Sequence, residues 1–165
     1  MAVKKIRKIG DPVLREKSRS VEKIDSKLLK LVKDMIDTLN NEGGVGLAAP
    51  QIGITRRVII VNFDDKIQTF INPVIEVLDN KKIESDEVCM SVYSINGFCV
   101  KRFPRVKVKA KDPEGNDITL VAEDLLARIF QHEIDHLNGI LYIDHLDRKS
   151  KRELLSKINE IELNV

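Results

Sequence analysis

The five residues His132-Glu133-Ile134-Asp135-His136 restrict this chain more than any other stretch. On a helix, two imidazoles four positions apart can grip one ion, because i and i+4 share a face about one turn apart. The surrounding pattern supplies such a helix over residues 123–137, and Asn138-Gly139 ends it. Leu125 and Ile129 stand at i−7 and i−3 from His132, so the face bearing the histidines is expected to point toward the core. Two buried histidines without a partner would be costly there, which favours a bound metal over a chance match to a short motif. Glu133 is rotated by roughly 100° and still reaches a water held by the ion, where a carboxylate can take and return a proton. The third histidine, His145, lies outside the motif and is expected to be a surface or structural residue.

The remaining pattern places strands in the middle of the chain and helices toward its ends. Asp11-Pro12 predicts an N-cap followed by a short helical turn. Residues 25–40 carry Leu28, Leu31, Val32, Met35, Ile36 and Leu39 at helical spacing and stop before Gly43-Gly44. A loop of small residues is expected over 43–53. Residues 57–62, 66–71, 74–78 and 81–85 are short, rich in β-formers and predicted as strands. Residues 106–111 and 117–121 flank the turn Asp112-Pro113-Glu114-Gly115 and predict a hairpin. A last helix is expected over 150–161, with Leu154, Leu155, Ile158 and Ile161 on one side. The class is therefore α+β, and 165 residues suit a single domain.

A catalytic metal site usually takes three protein ligands and keeps a position open for water. The downstream histidine of the extended H-E-x-x-H proteases is missing, because Leu137-Asn138-Gly139 follows the motif. Cys89, in Glu87-Val88-Cys89-Met90-Ser91, is the attractive alternative. The second cysteine, Cys99, is expected to be a small buried hydrophobe. With no apolar stretch after the basic N-terminus, no signal peptide is expected, and the run at 58–61 is far too short to cross a membrane. A cytoplasmic location follows as an expectation, and a reducing compartment argues against a disulfide. The formal net charge of +2 gives no ground for DNA binding. Basic residues cluster at Lys4, Lys5, Arg7 and Lys8 and again at Arg148, Lys149, Lys151, Arg152 and Lys157, and either cluster reads first as a solvated face.

Three segments together resemble one family. Gly44-Val45-Gly46-Leu47-Ala48-Ala49-Pro50-Gln51 matches the G-Φ-G-Φ-A-A-x-Q motif of peptide deformylases at every specified position. Glu87-Val88-Cys89-Met90-Ser91 is similar to their E-G-C-L-S motif with two changes, and Gln131-His132-Glu133-Ile134-Asp135-His136-Leu137 to their Q-H-E-x-D-H-L helix. The order is the family's, and Gly10-Asp11-Pro12 and Asn72-Pro73 extend the resemblance over nearly the whole chain.

The resemblance implies one catalytic domain over residues 1–165, with short antiparallel strands packed around a central helix that carries the histidines, and a C-terminal helix. It implies Cys89, His132 and His136 as metal ligands, Glu133 as acid and base, and Gln51 with the backbone N–H of Met90 as donors to a formyl oxygen. Ferrous iron is the implied ion, with zinc or nickel as substitutes. The implied substrates are N-formylmethionyl nascent peptides, laid along Val45, Gly46 and the backbone carbonyl of Val88, and formate is the product. The C-terminal helix is the implied contact with the ribosome. The family arginine that pairs with the motif glutamate is best matched by Arg102, with Arg105 competing, so a Glu87–Arg102 pair is expected behind the site. Val88 and Met90 replace the family's glycine and leucine, and Val92-Tyr93-Ser94 lacks the Pro-Gly often found there. Val88 is expected to keep an extended backbone with its side chain directed away from the peptide path.

Overall fold

The computed structural model describes residues 2–164. Helix α1 (Ser26–Glu42) is capped by the Asp25 carboxylate, which accepts from the Leu28 N–H, and ends at Gly43 in the left-handed region. Strands β1 (Gly46–Ala48), β2 (Val58–Phe63), β3 (Lys66–Asp79), β6 (Arg105–Lys111) and β7 (Asp117–Glu123) form one antiparallel sheet in the order β1-β2-β3-β6-β7. Strands β4 (Ile83–Asp86) and β5 (Cys99–Arg102) pair separately. Helix α2 (Asp124–Leu137) carries the histidine motif, and α3 (Arg148–Leu163) closes the chain. The α+β class stands.

The main sheet is a middle layer. Along β2, Val58 and Ile60 pack with Leu28, Val32, Met35 and Leu39 of α1, while Ile59 and Val61 pack with Phe130 and Leu137 of α2. A strand buried on both faces needs a continuous apolar run, and Val58-Ile59-Ile60-Val61 is that run. Phe70 of β3 meets Phe130 edge-on at 4.8 Å between centroids, locking the motif helix to the sheet. A third cluster, around Leu14, Val92, Tyr142 and Leu154, fills the space under the turn that follows β4.

Several expected boundaries move. Residues 66–71 and 74–78 are one strand rather than two: Asn72 takes φ 52° at a bulge, and its side-chain amide pairs with the N–H and C=O of Val21, both at 2.8 Å. β2 and β3 turn through Asp64 and Asp65, with φ 53° and 55°, as a two-residue hairpin requires. The expected loop over 43–53 contains β1 and a 3-10 turn, Ala49–Ile52. β5 was not expected, since its pattern of four residues is too short to stand out, and α3 starts two residues before the expected Ser150. Cys99 is exposed rather than buried, because it lies in β5 with its thiol directed at Asp86 Oδ1, 3.4 Å away.

Candidate metal centre and cleft

The motif helix delivers its side chains as its spacing demands. His132 and His136 stand one turn apart with their rings edge to face, 5.0 Å between centroids, and both are buried. The helix face is less uniformly internal than expected: Ile129 packs inside, whereas Leu125 is 67% exposed, because the face opens into a cleft there. That cleft has a volume of about 380 Å³ and lies between β1, the segment after β4 and α2. Gly44, Val45, Gly46 and Gln51 line one side, and Glu87, Val88, Cys89 and Met90 another. His132 and Glu133 form its floor.

Cys89, His132 and His136 each bring a ligand atom to one point, and these atoms all lie within 4.8 Å of one another. Cys89 Sγ is 3.4 Å from His136 Nε2. His132 Nδ1 is 2.9 Å from Glu87 Oε2, and donation there leaves Nε2 to face the cysteine. Gln51 is oriented the same way, from behind. Its Oε1 accepts the Ala48 N–H at 2.9 Å, so its Nε2 points to Ser91 Oγ at 3.2 Å and Cys89 Sγ at 3.7 Å.

The residues fit a metal ion. Burial disfavours charge on His132, yet Cys89 and Glu87 raise its pKa well above the usual imidazole value. Burial and the His132 charge push His136 well below it. One divalent ion would take the lone pairs that these buried, convergent groups present. A thiolate with two imidazoles suits iron or zinc. Glu133 Oε2 is buried with no hydrogen-bond partner among the described residues, the state of a carboxylate waiting for water. Burial raises the Glu133 carboxyl to about 7, against the opposing pull of His132. Gly46 explains how β1 comes so near: a Cβ there would stand 3.0 Å from Glu133 Oε1 and 3.1 Å from Ile129 Cγ2. Its missing side chain thus makes room for Glu133.

Glu87 holds the cysteine segment against α2. Arg102 grips it with two bonds, Nη2 to Oε2 at 2.7 Å and Nε to Oε1 at 3.1 Å. Burial would raise Glu87, but the bonds from His132 and Arg102 and their charges lower it to about 2. Arg102 also donates to Asp135 Oδ2 at 2.6 Å, and His145 Nε2 lies 2.9 Å from the same oxygen. Arg105 instead pairs with Glu123 at the surface, at 3.1 Å. His145 thus joins the rear of the site. Arg128 is a further member that sequence reasoning missed. It donates to the carbonyls of Ile83, Ser85 and Val100 at 3.1, 2.8 and 2.8 Å, tying α2 to β4 and β5. No local pattern predicts such bonds, because their acceptors are backbone atoms far away in sequence. Val88 avoids the positive-φ region, and it is 49% exposed where it lines the cleft, so its side chain does not simply turn away from that space.

Comparison with known proteins agrees with this arrangement. Residues 3–152 match the family model for polypeptide deformylase. Peptide deformylase 1 of Clostridium acetobutylicum is 47% identical over 146 residues, covering 88% of this chain and 96% of that protein. A peptide deformylase from Legionella pneumophila has a crystal structure that superposes with a TM-score of 0.91 at 36% identity, covering 98% of this chain and 96% of that one. A peptide deformylase from Synechococcus elongatus, solved in complex with actinonin, gives 0.88 at 36% identity over 96% of this chain and 91% of that one. The match runs through the glycine-rich strand, the cysteine turn and the histidine helix alike, and the chain belongs to the polypeptide deformylase family.

Proposed function

We propose that this chain hydrolyses the formamide at the N-terminus of N-formylmethionyl nascent peptides, releasing formate and a free amine. The observation that carries the proposal is the convergence of ligand atoms of Cys89, His132 and His136 within 4.8 Å of one another, beside a cleft that Cys89, His132 and Glu133 line. These three residues would hold one divalent ion, ferrous iron in the cell, with zinc or nickel as substitutes. When bound, the ion supplies Lewis acidity for water and carbonyl alike.

The protein's own groups do the rest. The β1 edge presents unpaired backbone to an extended peptide, as in strand addition. Val45, Gly46 and Val88 flank that path. Gln51 Nε2 and the Met90 N–H donate to the formyl oxygen, each donor worth roughly 3 kcal/mol toward the transition state. Met90 opens a 3-10 turn, where an N–H has no partner within the turn. Glu133 takes a proton at Oε2 and passes it to the departing amine nitrogen. Glu87 and Arg102 keep His132 in the tautomer that leaves Nε2 free.

In this reading residues 1–165 act as one catalytic domain in the cytoplasm; among the described residues no helix is long and apolar enough to cross a membrane. The basic residues of α3 dock on the ribosome; loss of co-sedimentation after their charge reversal tests this. For the reaction itself, protein loaded anaerobically with iron or nickel is given formyl-methionyl and unformylated peptides. Formate equal to the new free amine is expected, with the iron form failing faster in air. Cleavage of internal peptide bonds without formate would overturn the proposal and favour an ordinary H-E-x-x-H peptidase.

A further inference from the structure

The turn that presents Cys89 and Met90 has an unusual backbone. Tyr93 and Ser94 follow one another at φ 56° and 50°. Left-handed conformations at non-glycine residues persist where the surroundings over-determine them. This one has a direct geometric product: it returns the Ser94 N–H to the Cys89 carbonyl at 2.9 Å, which also accepts the Val92 N–H at 2.9 Å. The Cys89 carbonyl and the Met90 N–H belong to one planar trans peptide. Pinning the oxygen on the turn side therefore directs the N–H to the opposite side.

Two distant parts of the chain grip this turn. Lys8 Nζ donates to the Met90 carbonyl at 2.7 Å and sits 5.1 Å from the centroid of the Tyr93 ring, a cation–π distance. The Ile9 N–H donates to the Ser91 carbonyl at 2.9 Å. From the other end, Glu162 of α3 accepts the Tyr93 hydroxyl at 3.2 Å. We infer that Lys8 and Tyr93 are positioning residues for the reaction: together they hold the left-handed turn that aims the Met90 N–H and seats Cys89. The inference rests on the deformylase reading for the role of that N–H, and on geometry alone for the clamp. Neither residue touches the reacting atoms.

The test compares Lys8→Met, Lys8→Arg and Tyr93→Phe in the metal-loaded full chain, with kinetics on a formyl-methionyl peptide, elemental analysis and amide hydrogen exchange over residues 89–95. Lys8→Met is expected to lower kcat roughly tenfold at unchanged KM, the scale of a small misplacement of a reacting group. Metal content stays at one per chain and exchange speeds up only in the turn. Lys8→Arg restores both readouts. Tyr93→Phe keeps the ring under the ammonium and gives a smaller change of the same kind. Unchanged kcat and exchange in Lys8→Met would overturn the inference. So would faster exchange spread over the whole chain with full kcat in the folded fraction, which is a merely structural role. If the wild type releases no formate, the proposed function fails, and the exchange of the turn still decides whether the clamp exists.

Discussion

His132, Glu133 and His136 reach the site from one regular helix, whereas Gln51, Cys89 and Met90 reach it from two short 3-10 turns. The helical half is positioned by backbone hydrogen bonds only four residues long, and packing of Phe130 on Phe70 sets its height on the sheet. The turn half has no ladder of its own. It is held mainly by charged and polar bonds between residues fifteen or more apart: Arg102 to Glu87, Gln51 to Ser91, Lys8 to Met90. Local regularity thus places two ligands and the base, and a buried polar network places the third ligand and the oxygen-binding donors. The two halves should differ in what breaks them.

The largest effect is expected behind the turn. Arg102→Leu takes a partner from both the buried Glu87 and the half-buried Asp135 and should cost about 3–5 kcal/mol of stability, the usual scale for breaking a buried pair. Chemical denaturation measures this. Arg105→Leu, at an exposed pair, should cost no more than about 1 kcal/mol. Equal costs would erase the distinction between a network-held half and the rest of the surface.

On the helix the consequence is chemical rather than structural. Glu133→Ala should retain near one metal per chain while deformylation falls at least about a hundredfold, as for loss of a general base. Metal lost from this variant by elemental analysis would contradict the role, since it would make Glu133 part of the ligand set.

The two halves also carry carboxylates with opposite shifts, so pH separates them in the chelated protein. Glu87 is held at about 2, below its ordinary 4.5. Its contribution is fully present above the unfolded value and is lost as pH falls from 4.5 toward 2. Glu133 is raised to about 7. The folded chain keeps its proton longer than the unfolded chain, so stability falls as pH rises from 4.5 to 7. Each limb has a limiting slope of about 1.4 kcal/mol per pH unit for one group. Glu87→Gln should flatten the acid limb and Glu133→Gln the neutral one, and a variant that flattens the other limb would reverse the assignment.

The smallest effect is expected at Val88. Its backbone stays out of the left-handed region, so valine offers the same carbonyl as glycine. Val88→Gly should change kcat/KM by less than about tenfold, or roughly 1.4 kcal/mol. A much faster glycine variant would show that the half-exposed side chain obstructs the cleft it lines.

The helix half was legible in the sequence because its information is local. The spacing of His132 and His136, the apolar face below them and the stop at Asn138-Gly139 are all set within a few turns. Strand β2 was expected from its β-formers, whereas its burial on both faces came only from the packing of α1 and α2 against the sheet. The motif order pointed to Cys89, Gln51 and Glu87, but only the fold shows that Gln51 presents its amide because Ala48 holds its oxygen. Other features were misjudged for the same reason. Cys99 is exposed because β5 pairs with β4 at the surface, and Leu125 is exposed because a cleft opens beside it. Asp135 and His145 lie ten residues apart yet share an oxygen contact behind the site, and Arg128 spends its donors on carbonyls that carry no sequence signature. The sequence by itself determined the helix, its ligand face and the chemistry of the donor set, because those depend on bonds and periodicities a few residues long. The tertiary structure decided which backbone atoms the charged side chains hold, and therefore how the irregular half of the site stands against the helix.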